Sequence, residues 1–490
     1  MRNILVYLTA ILLLSVSCSD FLEQEPGTQT STEELFSTYE GFQLALNGCY
    51  YDLEDISTFR QHAIYADLLG GNIVFTPSHT SSSKGEIDVP YSVENVYSFQ
   101  DKEENSDLSS LYDGAYEIIN ASNEILEHLD QLTEVGDDVK RQLKAETLCI
   151  RALCHFYLVR MYSQNFSYTP DASHLGIVCN ERTQQVGVDY PARKTAVESY
   201  SFVLNDLEDA IDNFTEISLL SGPSYSYFNN ISCKALLARV ALYASEYQMA
   251  VDYCSDVILN SGISLMSKEE YDNQWKEDNA PVSEIIFEFS AVQSEDGTYQ
   301  TTNTMAGAYG FFSTSDYQEY SSSGDLLSLF EAGDVRGDSM FLEVDLPTVI
   351  PNQTDLEDLP YYFTHKFQDN PGNPLMRLSE LYLIRAEAYA RLDEQGNALS
   401  DLNTIRDRAG ATPALITDDL LDEIFLERRR ELCFEGHLLF DIARFHKNVD
   451  RNDGCIANTC HLDYPSNYFV LPIPRGNTYL NSNLVQNEGY

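Results

Sequence analysis

The sequence predicts a mostly α-helical protein: pairs of helices packed as a scaffold, interrupted by a long irregular insertion with a few short strands. Three observations predict it. Apolar residues recur at three-and-four spacing over long stretches, which places them on one face of a helix. Short polar turns join these stretches in pairs, and small residues stand where paired helices must touch. Two segments, 70–100 and 262–375, lack the helical period, and loops of that length inside a compact domain usually carry function.

The chain opens with Met1-Arg2-Asn3 and a largely apolar run of 13 residues, Ile4 to Val16. That run is shorter than the ~20 residues needed to span a bilayer and fits the core of a signal peptide at 1–17. Leu14-Ser15-Val16-Ser17-Cys18 resembles a bacterial lipobox, with the leucine one place further from the cysteine than usual. The resemblance implies cleavage before Cys18 and acylation of its thiol, a multi-chain anchor that holds far better than one acyl group. Residues 18–36, rich in Glu, Gln, Pro, Gly, Thr and Ser, read as a tether, and 37–490 as a single domain.

Within that domain, Leu108 to Leu132 carries Leu111, Tyr112, Ala115, Ile118, Ile119 and Ile125 on helical spacing, and Val139 to Tyr162 repeats the pattern. The turn Thr133-Glu134-Val135-Gly136-Asp137 makes them an antiparallel pair. A helix is expected near Val197–Phe214, a second pair at Ile231–Tyr243 with Tyr247–Leu259, and a third at Leu378–Leu392 with Ala398–Ala409. One long helix is expected from about Asp418 to Phe445. Ala235, Ala238, Ala386, Ala388 and Ala390 allow close approach, so the pairs suit tetratricopeptide-like stacking, although their spacing is irregular. In the insertion, Ile285 to Phe289 and Tyr361 to Phe367 read as strands.

Composition narrows the function. With 77 Asp+Glu against 30 Lys+Arg, the net charge of −47 argues against nucleic acid and against polybasic adsorption to an anionic membrane. A hydrophobic content of 43% is enough to build a core, so the acidity does not mean disorder. No His-Glu-x-x-His, phosphate-binding glycine loop or Gly-x-Ser-x-Gly occurs, and the nine histidines are scattered without ligand spacing. No cofactor or metal is therefore expected; calcium on an acidic loop is chemically open but has no loop pattern behind it. Beyond Cys18 nine cysteines are left, an odd number, and most suit buried thiols. Cys455 and Cys460 bracket a short loop, where a disulfide and two free thiols are both open.

The C-terminal third carries an ordered set of motifs: Arg377-Leu378-Ser379-Glu380-Leu381-Tyr382-Leu383-Ile384-Arg385-Ala386-Glu387-Ala388, then Leu402-Asn403-Thr404-Ile405-Arg406. These are followed by Glu427-Arg428-Arg429-Arg430-Glu431-Leu432-Cys433-Phe434-Glu435-Gly436, Leu471-Pro472-Ile473-Pro474-Arg475 and Asn483-Leu484-Val485-Gln486-Asn487. Together with Cys18-Ser19-Asp20-Phe21-Leu22-Glu23, they resemble the SusD/RagB family of outer-membrane nutrient-binding lipoproteins. The resemblance implies four tetratricopeptide-like helix pairs, a surface-exposed position on the outer membrane, and a SusC-like TonB-dependent transporter as partner. It implies capture of oligosaccharides, or of peptides in the RagB branch, and no catalysis. A helical-repeat scaffold that binds another protein is the remaining alternative.

The glycan-binding expectation rests on aromatic density. Tyr299, Tyr309, Phe311, Phe312, Tyr317 and Tyr320 are six aromatics within 22 residues, against 12% aromatics in the whole chain. Sugar rings stack their C–H faces on aromatic planes, while their hydroxyls need nearby amides and carboxylates such as Asn303, Asp316 and Gln318. Two or three of the six rings are expected to touch ligand and the others to pin the loop. Phe75 and Tyr97, with Tyr91 and Phe99, form a second candidate arm, and the single tryptophan, Trp275, is either a platform or a core residue. The Arg/Glu-rich run 427–444 reads as a structural network, with Glu427, Arg430 and Glu431 paired within one helix.

Overall fold

A computed structural model of the chain describes residues 31–185, 187–275, 282–289, 304–350, 355–367, 372–417 and 419–490. Its long helices are α1 (Tyr39–Thr58), α2 (Arg60–Gly70), α3 (Ser109–His128), α4 (Asp137–Tyr162), α5 (Ala196–Asn213), α6 (Asn230–Tyr243) and α7 (Tyr247–Asn260). They are followed by α8 (Lys268–Trp275), α9 (Leu378–Arg391), α10 (Gln395–Ala409), α11 (Leu420–Glu431) and α12 (Leu438–Arg444). Helices α1, α3, α4, α5, α6, α7, α9 and α10 each pack on the next, giving the expected paired helical scaffold. No described helix is long and apolar enough to cross a membrane.

Local chemistry sets the helix limits. Thr195 and Glu198 form a reciprocal capping box at the start of α5, and the Thr38 side chain accepts from Gly41 N–H at the start of α1. Gly410, in the left-handed region at φ 76°, ends α10. The small residues expected at contacts, Ala235, Ala238, Ala386 and Ala388, are all fully buried.

The expected single helix over 418–445 is two helices, α11 and α12. Between them Phe434 and Gly436 adopt positive φ (69° and 74°). The buried Asp67 carboxylate of α2 accepts the N–H groups of Phe434 (3.0 Å) and Gly436 (2.9 Å), so a partner distant in sequence satisfies the donors that the break frees.

The insertion is less irregular than expected. Besides α8, it holds an antiparallel pair of β2 (Ile285–Phe289) with β8 (Asn373–Arg377) and a long hairpin of β6 (Phe341–Val349) with β7 (Leu356–Thr364). A small hairpin joins β3 (Phe311–Ser313) to β4 (Asp316–Tyr317), and β5 (Tyr320–Ser322) pairs with β1 (Ile73–Phe75) from the 70–100 segment. Cys455 and Cys460 form a disulfide, whereas Cys149 and Cys154 are buried free thiols.

Candidate ligand-binding face

Three chain segments converge beside the scaffold. The β1–β5 pairing brings residues 76–91 against the β3–β4 hairpin, where Thr76 donates from N–H to Glu319 O (2.9 Å) and from Oγ1 to Gln318 O (2.7 Å). Tyr317 donates its hydroxyl to Pro77 O at 2.7 Å. On the other side, Val349 of β6 donates to Gly85 O (2.8 Å), which ties the same loop to the β6–β7 hairpin. Gly85 has φ 84°, a left-handed backbone shape that favours glycine, and a Cβ there would lie 3.1 Å from Pro347 O. Gly85→Ala is expected to displace this loop while leaving the helical scaffold folded. Proteolytic nicking confined to residues 76–91 would register that displacement.

A small apolar cluster of Tyr317, Leu346, Tyr361 and Phe363 lies beneath the convergence. Phe311 packs on Phe363 with ring centroids 5.1 Å apart, and His79 packs edge-on to Tyr317 at 5.0 Å. Alternation along β3 turns the next residue, Phe312, outward; it is 45% exposed, with Asp316 also exposed on the paired strand. The face therefore offers an aromatic plane, a carboxylate and the imidazole of His79, a set able to stack an apolar ring face and bond its hydroxyls.

Several residues expected to meet ligand belong instead to the core. Tyr309 is 1% exposed and packs on Phe434 at 4.9 Å, and Tyr320 is equally buried. Phe75 stands opposite Tyr320 in the β1–β5 register, with Tyr97 edge-on to Phe75 at 4.9 Å, so these rings fill the interior behind the sheet. Tyr317 is also buried and holds the loop in place through its ring and hydroxyl. Phe99 and Trp275 are buried as well. Tyr299, Asn303 and Cys18 lie outside the described residues. Phe312, Asp316 and the half-buried Phe311 remain from the expected set. Tyr91, 77% exposed, and the exposed His79 add to the solvent-facing groups of the 76–91 loop. His79 went unnoticed because a lone histidine in a Ser/Thr-rich loop has no sequence signal of its own.

The Arg/Glu run of α11 is structural, but its pairing is mostly between distant elements. Arg377, fully buried at the end of β8, binds Glu284, Glu431 (3.2 Å) and Glu435 (2.7 Å). Arg336 bridges Glu427 (2.6 Å), Glu431 (3.0 Å) and Asp334 (2.8 Å), while Arg408 binds Glu431 at 2.5 Å. Only Arg430–Glu427, at 3.0 Å, is a pair within the helix as expected. Burial opposes charge on Glu431, yet Arg408, Arg377 and Arg336 outweigh it and hold its carboxyl well below the usual range.

Comparison with known proteins agrees with this architecture. The family model described as "SusD family" matches residues 362–490, and one described as "Starch-binding associating with outer membrane" matches 20–242. A SusD-like protein of Bacteroides ovatus is 23% identical over 91% of this chain and 83% of its own length. The starch-binding protein SusD of Bacteroides thetaiotaomicron is 37% identical over 136 residues, 26% of this chain and 23% of the relative. A crystal structure of a SusD superfamily protein from Bacteroides thetaiotaomicron superposes with a TM-score of 0.77 at 26% identity, covering 92% of this chain and 99% of that one. Family matches at both ends of the chain, joined by one fold along nearly its whole length, make it a member of the SusD/RagB family.

Proposed function

We propose that the protein is a glycan-binding lipoprotein, anchored on the outer membrane through acylated Cys18, and not an enzyme. It captures oligosaccharides on the face carried by residues 76–91, 311–317 and the β6–β7 hairpin, and passes them to a SusC-like TonB-dependent transporter. The observation that carries this reading is Phe312: a large aromatic ring held out to solvent beside Asp316, on a hairpin fastened at both sides. The starch-binding description of the N-terminal family model and of the matching relative names the ligand class to try first.

Replacing Phe312 and Asp316 together with Ala is expected to weaken binding of a malto-oligosaccharide or another array-positive glycan more than tenfold. One stacking contact contributes about 1 kcal/mol, and a charge-assisted hydrogen bond contributes a comparable or larger amount. Both side chains are outside the core, so the melting temperature should hold. Unchanged affinity on calorimetric titration would remove this face from the proposal. A tight response to a peptide pool, with none on the glycan array, would favour peptide capture instead. Cys18→Ala is expected to move the protein from the membrane to the soluble fraction.

A further inference from the structure

A cavity of about 390 Å³ opens where residues 99–104 face Tyr468 and the segment 489–490, and it shares no residue with the Phe312 face. A volume of this order is in the range of small-ligand sites. Its aromatic lining is held from within. Tyr468 and Tyr490 meet edge to face with ring centroids 5.8 Å apart, and Tyr490 donates its hydroxyl to Val470 O at 2.8 Å. The Phe99 ring is buried, and the guanidinium carbon of Arg451 lies 5.0 Å from its centroid and 4.3 Å from that of Tyr97. Phe99 also holds φ 53°, a left-handed shape that costs a bulky residue free energy and that clusters at ligand sites. Tyr468, by contrast, stays 40% exposed.

The polar groups of the lining fall into two sets. Its carboxylates are engaged: Asp101 accepts from Ser106 Oγ (2.6 Å) and Asp107 N–H (3.2 Å), Glu103 from Gln486 (3.0 Å) and Glu104 from Arg475 (2.9 Å). The Gln100 amide, the Lys102 ammonium and the Tyr468 hydroxyl have no partner among the described residues, and all three side chains are exposed. An amide, an amine and a phenol can therefore bond a ligand without breaking an internal contact.

An exposed ring beside a second, perpendicular ring forms a corner that stacks the apolar face of a pyranose. Carboxylates outnumber the one ammonium in the lining, which disfavours an anionic ligand, while the free donors and acceptors suit the hydroxyls of a neutral sugar. We infer that this cavity binds a neutral saccharide unit, its ring on Tyr468 and its hydroxyls on Gln100 and Lys102. The inference rests on the glycan-binding reading above, and it adds a second glycan site on the stretch of chain that directly follows the 76–91 loop.

Calorimetric titration of the mature protein with maltotriose tests it, with hydrogen exchange locating the contacts. The wild-type protein is expected to take up two molecules per chain and to gain protection at residues 99–104 and around Tyr468. With Phe312→Ala and Asp316→Ala together, one molecule should still bind and that protection should persist. Tyr468→Ala is expected to weaken this second binding about fivefold, the worth of one stacking contact. Gln100→Ala with Lys102→Ala should weaken it severalfold. These side chains are exposed, so the melting temperature should hold, and either variant gives the answer if the other does not fold. Missing protection at 99–104, or wild-type titrations in both variants, would overturn the inference and leave the Phe312 face standing. One molecule per chain, lost in Tyr468→Ala and kept in the Phe312 variant, would support this site and remove that face. A blank maltotriose titration would overturn the site, and the broader reading would fall with it only if a glycan array is blank as well.

Discussion

Arg377→Met is expected to lower stability by about 3–5 kcal/mol, the cost of removing one partner from a buried ionic cluster. Arg377 is fully buried, and its loss leaves Glu284, Glu431 and Glu435 facing one another with fewer cations between them. Arg408, Arg336 and Lys366 remain, so the cluster is weakened and not emptied. For a chain of this length the loss corresponds to about 3–5 °C, taking unfolding entropy at about 2 cal/mol/K per residue. The deficit should shrink as pH falls toward 4.5, because the abandoned carboxylates then take up protons at less cost. A melting temperature within 1 °C of wild type at pH 7 would show that the cluster tolerates the vacancy, against the account given above.

Stability is also expected to fall as pH rises from about 6.5 to 7.5. Burial pushes the Glu146 carboxyl up to about 7, even though Tyr50 and Gln142 each donate it a hydrogen bond at 2.8 Å. Asp101 is likewise raised by burial, to about 6. Between the ordinary carboxylate value and these raised values, the native state keeps protons that the unfolded chain has released, so these two groups lower stability as pH rises across that window. At 1.36 kcal/mol per unit, Glu146 alone contributes up to about 3 kcal/mol of the decline. Glu431 and Glu435 run the other way: their arginine and lysine partners hold them below the usual range, so their contribution is lost as pH falls below about 4.5. Burial also holds His62 and His155 down, to about 4 and about 3, which costs stability as pH falls below about 6.5 and opposes the carboxylate trend there. Glu146→Gln mimics the protonated acid, so it should be close to neutral at pH 5 and stabilising at pH 8. An identical pH slope in wild type and variant, measured by urea denaturation, would reject the assignment.

Most of the scaffold was legible because helical periodicity is local. Leu111, Tyr112, Ala115, Ile118, Ile119 and Ile125 are all buried along one face of α3, and the pair turns fall within a few residues of their expected places. Helices α1 and α2 were not assigned, although Phe42, Leu46, Cys49, Tyr50, Leu53 and Ile56 carry the same period. The break after α11 was invisible because its cause, Asp67, lies more than 360 residues away. The aromatic cluster misled for a related reason: density along the chain does not say which side a ring faces. Strand alternation separates Phe311 from Phe312, and β1–β5 register buries Phe75 with Tyr320, but both depend on pairings that the chain does not announce. Pairing within α11 is the simplest reading of its alternating charges, yet the partners of Glu431 come from residues 336, 377 and 408.

The same distant pairing sets an order on how the chain acquires its structure. The insertion and the end of β8 contribute Glu284, Asp334, Arg336, Lys366 and Arg377, while Glu427, Glu431 and Glu435, which add to the neutralisation of the three cations, come from residues 427–435. Helices α3 to α7 complete their mutual contacts from neighbouring sequence, so they can condense as soon as they emerge. Asp334 and Glu284 pair with Arg336 and Arg377 locally, but the cluster is completed only when residues 427–435 arrive. Vectorial emergence of the chain therefore leaves the insertion as the last part to mature, and a chain cut before residue 427 would present a finished scaffold with an unfinished insertion.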